Sequence, residues 1–148
     1  MVTAYLAHPS DSSSKLNGKN LESMLSPFIT IVNPFNQNRA ATHNAQIITD
    51  GDINDVLQSN IFILYLPTHS DTIGCGGESE RAYLHNKLRI CLVNQNLVNH
   101  YWIQRWFGNN RFFEYSKFEI RLKEMITQFD DWRNVQLASH EYPESIDK

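Results

Sequence analysis

Short apolar runs of strand length recur along the chain and alternate with longer amphipathic or polar stretches. The clearest runs are Ile61–Leu66, which is apolar at every position, and Leu88–Val93. Runs of this kind suit strands buried on both faces, as in a parallel sheet covered by helices. Thr3–Ala7 and residues 28–33 are predicted as two further strands from their apolar and β-branched content, and residues 111–113 as a short fifth strand.

Helices are predicted in the intervals between these strands. The clearest covers 115–132, where apolar side chains recur every three or four residues and indicate one buried face. The other predicted helices cover 19–25, 50–58 (capped by Asp50 or Asp52), 76–86 and 97–107. Two polar stretches, 10–18 and 34–47, are predicted as loops, and the length of the second is typical of a functional or mobile segment.

Alternating strands and helices predict an α/β fold, a doubly wound parallel sheet of the flavodoxin or Rossmann-like type in a single domain. We expect this domain to cover residues 1–132 and a polar C-terminal tail to follow at 133–148. In such sheets ligands bind beyond the carboxyl ends of the strands. Chemistry is therefore expected in four segments, 7–14, 33–38, 67–78 and 94–99.

Composition excludes several classes of function. A net charge of −3 argues against sequence-independent nucleic-acid binding, which usually requires a basic face. The apolar runs are too short for a membrane span, and no signal-peptide pattern opens the chain. Cys75 and Cys91 form no CxxC pair and the six histidines have no metal-binding spacing, so we expect a cytoplasmic protein with no metal.

The most informative stretch is residues 71–82, DTIGCGGESERA, which follows a buried strand and opens a predicted helix. Its glycines allow a tight turn and a close approach of the backbone to a ligand. Glu78 is expected in the first turn of the helix, where the dipole and free N–H groups favour an ionised carboxylate. Such a group is a suitable nucleophile for an electrophilic sugar carbon. Acidic residues in first turns also commonly do no more than stabilise the helix, and a glycine-rich turn can equally bind phosphate.

Several segments resemble the nucleoside 2-deoxyribosyltransferase family, in the order in which that family has them. Residues 5–9, YLAHP, resemble the family's opening strand, YLAGP. Residues 71–82 resemble its signature D-x-G-x-x-x-E-x-G-x-A, with one extra residue before Gly74. Asp52 resembles the aspartate of the helix before the buried strand. Residues 98–99 are similar to the segment whose asparagine reaches a neighbouring subunit, and 112–118 to the segment leading into the last helix.

This resemblance implies an enzyme that cleaves the N-glycosidic bond of a (deoxy)nucleoside and passes the sugar to another base or to water, with no organic cofactor. Glu78 is then the nucleophile that attacks the anomeric carbon, and Asp71 and Asp52 assist the leaving base. Tyr5 orients the nucleophile, and Asn99 contacts the sugar bound by a neighbouring subunit, so a homo-oligomer is expected. The remaining substrate-binding candidates are His8, Gln37, Thr72 and Gly74.

The chain also departs from the family pattern, and the departures leave more than one function open. His8 and Glu80 stand where the family has glycine. If Thr72 rather than Asp71 faces the substrate, the site resembles that of nucleoside 5′-monophosphate N-glycosidases, with Ser10 and residues 12–14 available for a phosphate. A nucleotide-binding module without turnover is also compatible with the sequence, as is a cysteine hydrolase that uses Cys75 with His69.

Overall fold

Five parallel strands form one sheet in the order β2-β1-β3-β4-β5. They are β1 (Thr3–Ala7), β2 (Thr30–Val32), β3 (Ile61–Leu66), β4 (Leu88–Val93) and β5 (Arg111–Phe112). The structure is a computed structural model that describes residues 2–68 and 72–141, with side chains described as far as Asp131. The predicted α/β fold is confirmed, and its strand order is that of a doubly wound, flavodoxin-like sheet.

Helices cover both faces of this sheet. They are α1 (Ser12–Leu25), α2 (Ala45–Gln58), α3 (Ile73–Leu84), α4 (Tyr101–Phe107) and α5 (Tyr115–Glu141), with two short 3-10 helices at Pro34–Asn36 and Asn38–Thr42. None of the helices within the described residues combines the length and the apolar character that a membrane crossing needs.

Alternation along the strands divides the core into two halves. Ala4 and Leu6 of β1 face a cluster that includes Leu21 of α1 and Phe118 of α5. Tyr5 and its neighbours on the other face join Val56 of α2, Cys75 and Ala82 of α3, and Ile103 and Phe107 of α4. Successive side chains of a strand point to opposite faces, so Tyr5 is directed toward α2 and α3.

Several helices begin earlier than the sequence pattern predicts. The predicted loop at 10–18 is wrong, because α1 begins at Ser12 and the Asp11 carboxylate caps it by accepting the Ser14 N–H at 3.1 Å. The buried stripe of α1 includes Ser14 and Gly18, which are too small and polar to be recognised as an apolar face.

The long polar stretch after β2 is also more regular than predicted. The two 3-10 helices occupy most of it, and α2 begins at Ala45. Its cap is Asn44, whose side-chain oxygen accepts the Ile47 N–H at 3.1 Å, and not Asp50 or Asp52. Both aspartates therefore lie inside α2, with their side chains available for other contacts.

Two further boundaries differ from prediction. Helix α4 begins at Tyr101 and not at residue 97, since His100 caps it through its ring nitrogen. Helix α5 continues past Trp132 to Glu141. The boundary proposed between a domain at 1–132 and a tail at 133–148 therefore falls within one helix.

Helix α3 begins at Ile73, three residues before the predicted start at Gly76. Glu78 therefore lies in the second turn, and the first turn contains no acidic residue. The influence of a helix dipole falls off within the first turn. The expectation that the helix terminus ionises Glu78 is wrong, and the charge state of this residue depends on its tertiary surroundings.

Candidate functional site

A tyrosine and a glutamate meet where β1 and α3 pack together. The Tyr5 hydroxyl donates a hydrogen bond to Oε2 of Glu78. Tyr5 is fully buried, and its ring stacks on Phe62 of β3 with 5.9 Å between the ring centroids and 8° between the planes. Because the neighbouring strand holds this ring, the phenol presents its proton to the carboxyl group in a defined direction.

The carboxyl group of Glu78 is in a poorly solvated position. Burial raises its pKa from 4.5 to about 8, the hydrogen bond from Tyr5 opposes this rise, and the nearby carboxylate of Asp52 adds to it. The positive charge of Arg39 lowers the same pKa. Glu78 is therefore mostly protonated at neutral pH, and it can ionise within the physiological range.

Tyr5 is not the ionised group of this pair. Burial, and next the charge of Glu78, raise the pKa of its phenol far above the ordinary value of 10.0. The phenol therefore retains its proton at any physiological pH. Its role in the pair is that of a permanent donor to Glu78.

A second pair of carboxylates lies next to this one on α2. Nη2 of Arg39 donates to Oδ1 of Asp52 at 2.7 Å and to Oδ2 of Asp55 at 2.8 Å. Asp52 and Asp55 are three residues apart and share one face of the helix. Burial disfavours the charge of Arg39, but the hydrogen bonds to the two aspartates outweigh it and raise the pKa of the guanidinium. Arg39 stays positively charged.

Three of the predicted site residues are thus brought together: Tyr5, Glu78 and Asp52. Asp71, which was predicted to assist the leaving base, lies outside the described residues, as does His69. Arg39 and Asp55 were not predicted. The available signal for Arg39 was its position as a single cation in a stretch rich in asparagine and glutamine, beyond the carboxyl end of β2.

The other predicted residues lie around this cluster without joining it. His8 is buried at 4% exposure, with Nδ1 2.9 Å from the Pro9 carbonyl oxygen and Nε2 3.3 Å from Oδ1 of Asn33. Burial lowers its pKa, so the ring is neutral at pH 7. Gln37 is exposed between the two 3-10 helices, two residues before Arg39.

Asn99 lies toward the opposite edge of the sheet. It is exposed, and its side-chain oxygen accepts a hydrogen bond from Arg111 at 3.2 Å. Among the described residues Asn99 has no hydrogen bond to Tyr5 or Glu78. Its predicted role toward a neighbouring subunit stays a prediction.

A separate cavity of about 190 Å³ lies between α3 and α4. Thr72, Cys75, Ile103 and Trp106 are among the residues that line it, and Glu78 is not. Gly74 is exposed in the first turn of α3, with open space around the position of a Cβ. Thr72 and Gly74 therefore lie at the start of α3, one turn or more before the buried carboxyl group.

Glu80, which replaces a family glycine, faces away from the Tyr5–Glu78 pair. Its carboxylate accepts hydrogen bonds from Arg105 and from the indole N–H of Trp106, each at 3.0 Å. The residue therefore ties α3 to α4 and adds no charge to the candidate site. Among the described side chains, which end at Asp131, no three histidine, cysteine or acidic residues form a group that could hold a metal ion.

Comparison with known proteins identifies the fold. No protein-family model and no curated protein matches the chain. Among solved structures, a 2-deoxyribosyltransferase from Bacillus psychrosaccharolyticus superposes with a TM-score of 0.62 at 16% identity, covering 72% of this chain and 82% of that one. A 2-desoxiribosyltransferase from Leishmania mexicana gives 0.51 at 15% identity, covering 63% and 65%. A conserved protein from Enterococcus faecalis V583 gives 0.55 at 18%, covering 68% and 69%.

These likenesses confirm that the chain has a 2-deoxyribosyltransferase-like α/β fold. They establish the architecture that the sequence resemblance implied. Which bond the chain acts on depends on the site itself.

Proposed function

We propose that the protein cleaves the N-glycosidic bond of a nucleoside, with Glu78 as the nucleophile. The observation that carries the proposal is the partly buried hydrogen bond from Tyr5 to Glu78, with Asp52 and Arg39 beside it. The fold supports it, since two of the superposable structures are 2-deoxyribosyltransferases. Perturbed titratable groups held by specific partners are typical of catalytic sites.

The chemistry follows from the two oxygens of the Glu78 carboxyl group. Tyr5 donates to Oε2, which leaves Oε1 to approach the anomeric carbon of the sugar. Cleavage of a glycosidic bond develops positive charge on the sugar, and an adjacent carboxylate stabilises that charge or bonds to it covalently. Because the site is poorly solvated, the attraction between the two charges is stronger than in water.

The leaving base requires a proton or a hydrogen bond. Asp52 lies near Glu78 on α2 and accepts a hydrogen bond from Arg39, so we propose that this carboxylate fixes the edge of the base by accepting a hydrogen bond from it. We propose Asp71 as the acid that donates the proton to the leaving base. The sugar then passes from Glu78 to a second base or to water. We further propose that the protein is a homo-oligomer in which Asn99 serves a neighbouring site.

The first turn of α1 favours a nucleoside over a nucleoside 5′-monophosphate. A phosphate in that turn needs free backbone N–H groups, as at other helix N-termini. Here the Asp11 carboxylate already accepts the Ser14 N–H at 3.1 Å. A phosphate beside Asp11 meets like-charge repulsion, so we propose that Ser12 and Ser13 do not form a phosphate site.

The test is a panel of ribo- and deoxyribonucleosides and their 5′-monophosphates, with and without an acceptor base, followed by chromatography of the free base. We expect release or exchange with at least one nucleoside. Glu78→Ala should abolish it, whereas Glu80→Gln, a control on the same helix that faces α4, should retain it. Base release by Glu78→Ala above a tenth of the wild-type rate contradicts the role of Glu78. Binding of nucleosides with no turnover by wild type favours a binding module.

A further inference from the structure

Arg39 contacts the candidate site through its two carboxylate partners and through its charge. One nitrogen, Nη2, holds both Asp52 and Asp55, and all three side chains are partly buried, at 20%, 25% and 21% exposure. Ion pairs with this degree of burial are screened less by salt than surface pairs. The arrangement therefore fixes the Asp52 carboxylate in one orientation.

Gly51 provides the space for this guanidinium. A Cβ added at position 51 would lie 2.5 Å from Nε and 2.9 Å from Cζ of Arg39, closer than any side chain allows. Glycine in the interior of a helix such as α2 is unfavourable relative to alanine. Gly51 therefore leaves room for the Arg39 side chain, although a glycine at this position makes the helix less stable than an alanine would.

The packing of the Arg39 side chain leaves one of its hydrogen-bond donors unpaired within the described part of the chain, which lowers the stability of the folded protein. Its Nε is buried and has no hydrogen-bond partner among the described residues. A buried donor without an acceptor is destabilising, and such groups concentrate where function requires them. The described groups that act on the charge of Glu78 are Tyr5 from β1, Asp52 from α2 and Arg39 from the second 3-10 helix. Arg39 is the cation among them.

We propose that Arg39, whose side chain packs against Gly51, is a positioning residue. It orients the Asp52 carboxylate, and it supplies the positive charge that balances Asp52 and Glu78. This inference rests on the proposed function for its catalytic meaning. The charge balance itself is a property of the folded protein without substrate. Without Arg39, the charge of Asp52, which raises the pKa of Glu78, is no longer offset by a positive charge, and Glu78 holds its proton to higher pH.

The test is a titration of the Glu78 carboxyl carbon by NMR in protein labelled at glutamate, with Glu78→Gln used to assign the signal. Arg39→Met should raise the titration midpoint by about one pH unit. Arg39→Lys, which retains a positive charge, should restore most of it. Lys19→Met is the matched control, because it removes an exposed cation on α1 and should leave the midpoint unchanged.

Gly51→Ala keeps the charge and displaces the guanidinium. We expect it to raise the Glu78 midpoint in the same direction as Arg39→Met but by less, while thermal stability is unchanged or higher, since alanine favours the helix. If Arg39 had a merely structural role, its displacement would lower thermal stability and leave the titration midpoint of Glu78 unchanged. If Arg39→Met fails to fold, Gly51→Ala alone still decides the question.

A midpoint that is unchanged in both variants, or one that moves equally in Lys19→Met, overturns the inference. A wild-type protein that cleaves no nucleoside contradicts the proposed function but leaves the titration readable. If nucleosides are cleaved, the acid limb of the kcat/KM profile should move to higher pH in step with the NMR midpoint. The two failures are therefore distinguishable.

Discussion

Replacing Glu78 with glutamine should remove a large part of the pH dependence of stability. The pKa of Glu78 is about 8 in the folded protein against 4.5 as the ordinary value. Below pH 4.5 both the folded and the unfolded chain hold this proton, and the stabilisation it provides is complete. As pH rises toward 8, only the unfolded chain releases the proton, so the free energy of unfolding falls.

The magnitude follows from the two pKa values. A raised carboxyl pKa costs about 1.4 kcal/mol per pH unit in the interval where only the unfolded state ionises. Between pH 5 and pH 7 the wild type should therefore lose about 2.5 kcal/mol relative to Glu78→Gln, whose amide does not titrate. Glutamine keeps the shape of the side chain and can still accept a hydrogen bond from the Tyr5 hydroxyl.

Urea unfolding followed by tryptophan fluorescence provides the measurement, at pH 5, 6, 7 and 8.5 for both proteins. The comparison cancels the contributions of all other titrating groups. With an ordinary urea dependence for a domain of this size, the two midpoints should separate by about 1 M between pH 5 and pH 7, with the variant the more stable at the higher pH. Parallel curves would show that Glu78 is solvated and ordinary in the folded state, and the buried pair would not be the site.

Three further predictions concern the neighbours of Glu78. Tyr5→Phe removes the hydrogen bond that lowers the pKa of Glu78, so the acid limb of the kcat/KM profile should move to higher pH, and activity at pH 7 should fall about tenfold or more; an unchanged profile would contradict the pair. Asp11→Ala removes the cap of α1 and should destabilise the protein by about 1 kcal/mol in urea unfolding, with nucleoside cleavage unaffected. The Cys75 thiol is 4% exposed, so thiol reagents should react with it slowly; rapid alkylation with complete loss of activity would favour a cysteine hydrolase.

The sequence alone was sufficient for the five strands and for a doubly wound parallel sheet, whereas the strand order β2-β1-β3-β4-β5 came from the tertiary structure. Ile61–Leu66 is apolar at every position because a central parallel strand is buried on both faces, and the segment 90–93 of the neighbouring strand shows the same constraint. The helix starts were not visible in the same way. The buried stripe of α1 includes Ser14 and Gly18, and Gly18 is small because the His8 ring lies over it, which is a contact between distant positions.

For the candidate site, the sequence indicated the residues and the tertiary structure decided their charge states and contacts. The resemblance to the family's motifs made Tyr5, Asp52 and Glu78 candidate site residues, and the structure brings these three side chains together. The sequence did not indicate the electrostatics of these residues, because the charge state of Glu78 follows from burial and not from its place in the helix. The sequence likewise did not indicate the role proposed for Arg39. It depends on Gly51, Asp52 and Asp55 of another helix, and only the packing of that helix against the loop brings them to the guanidinium.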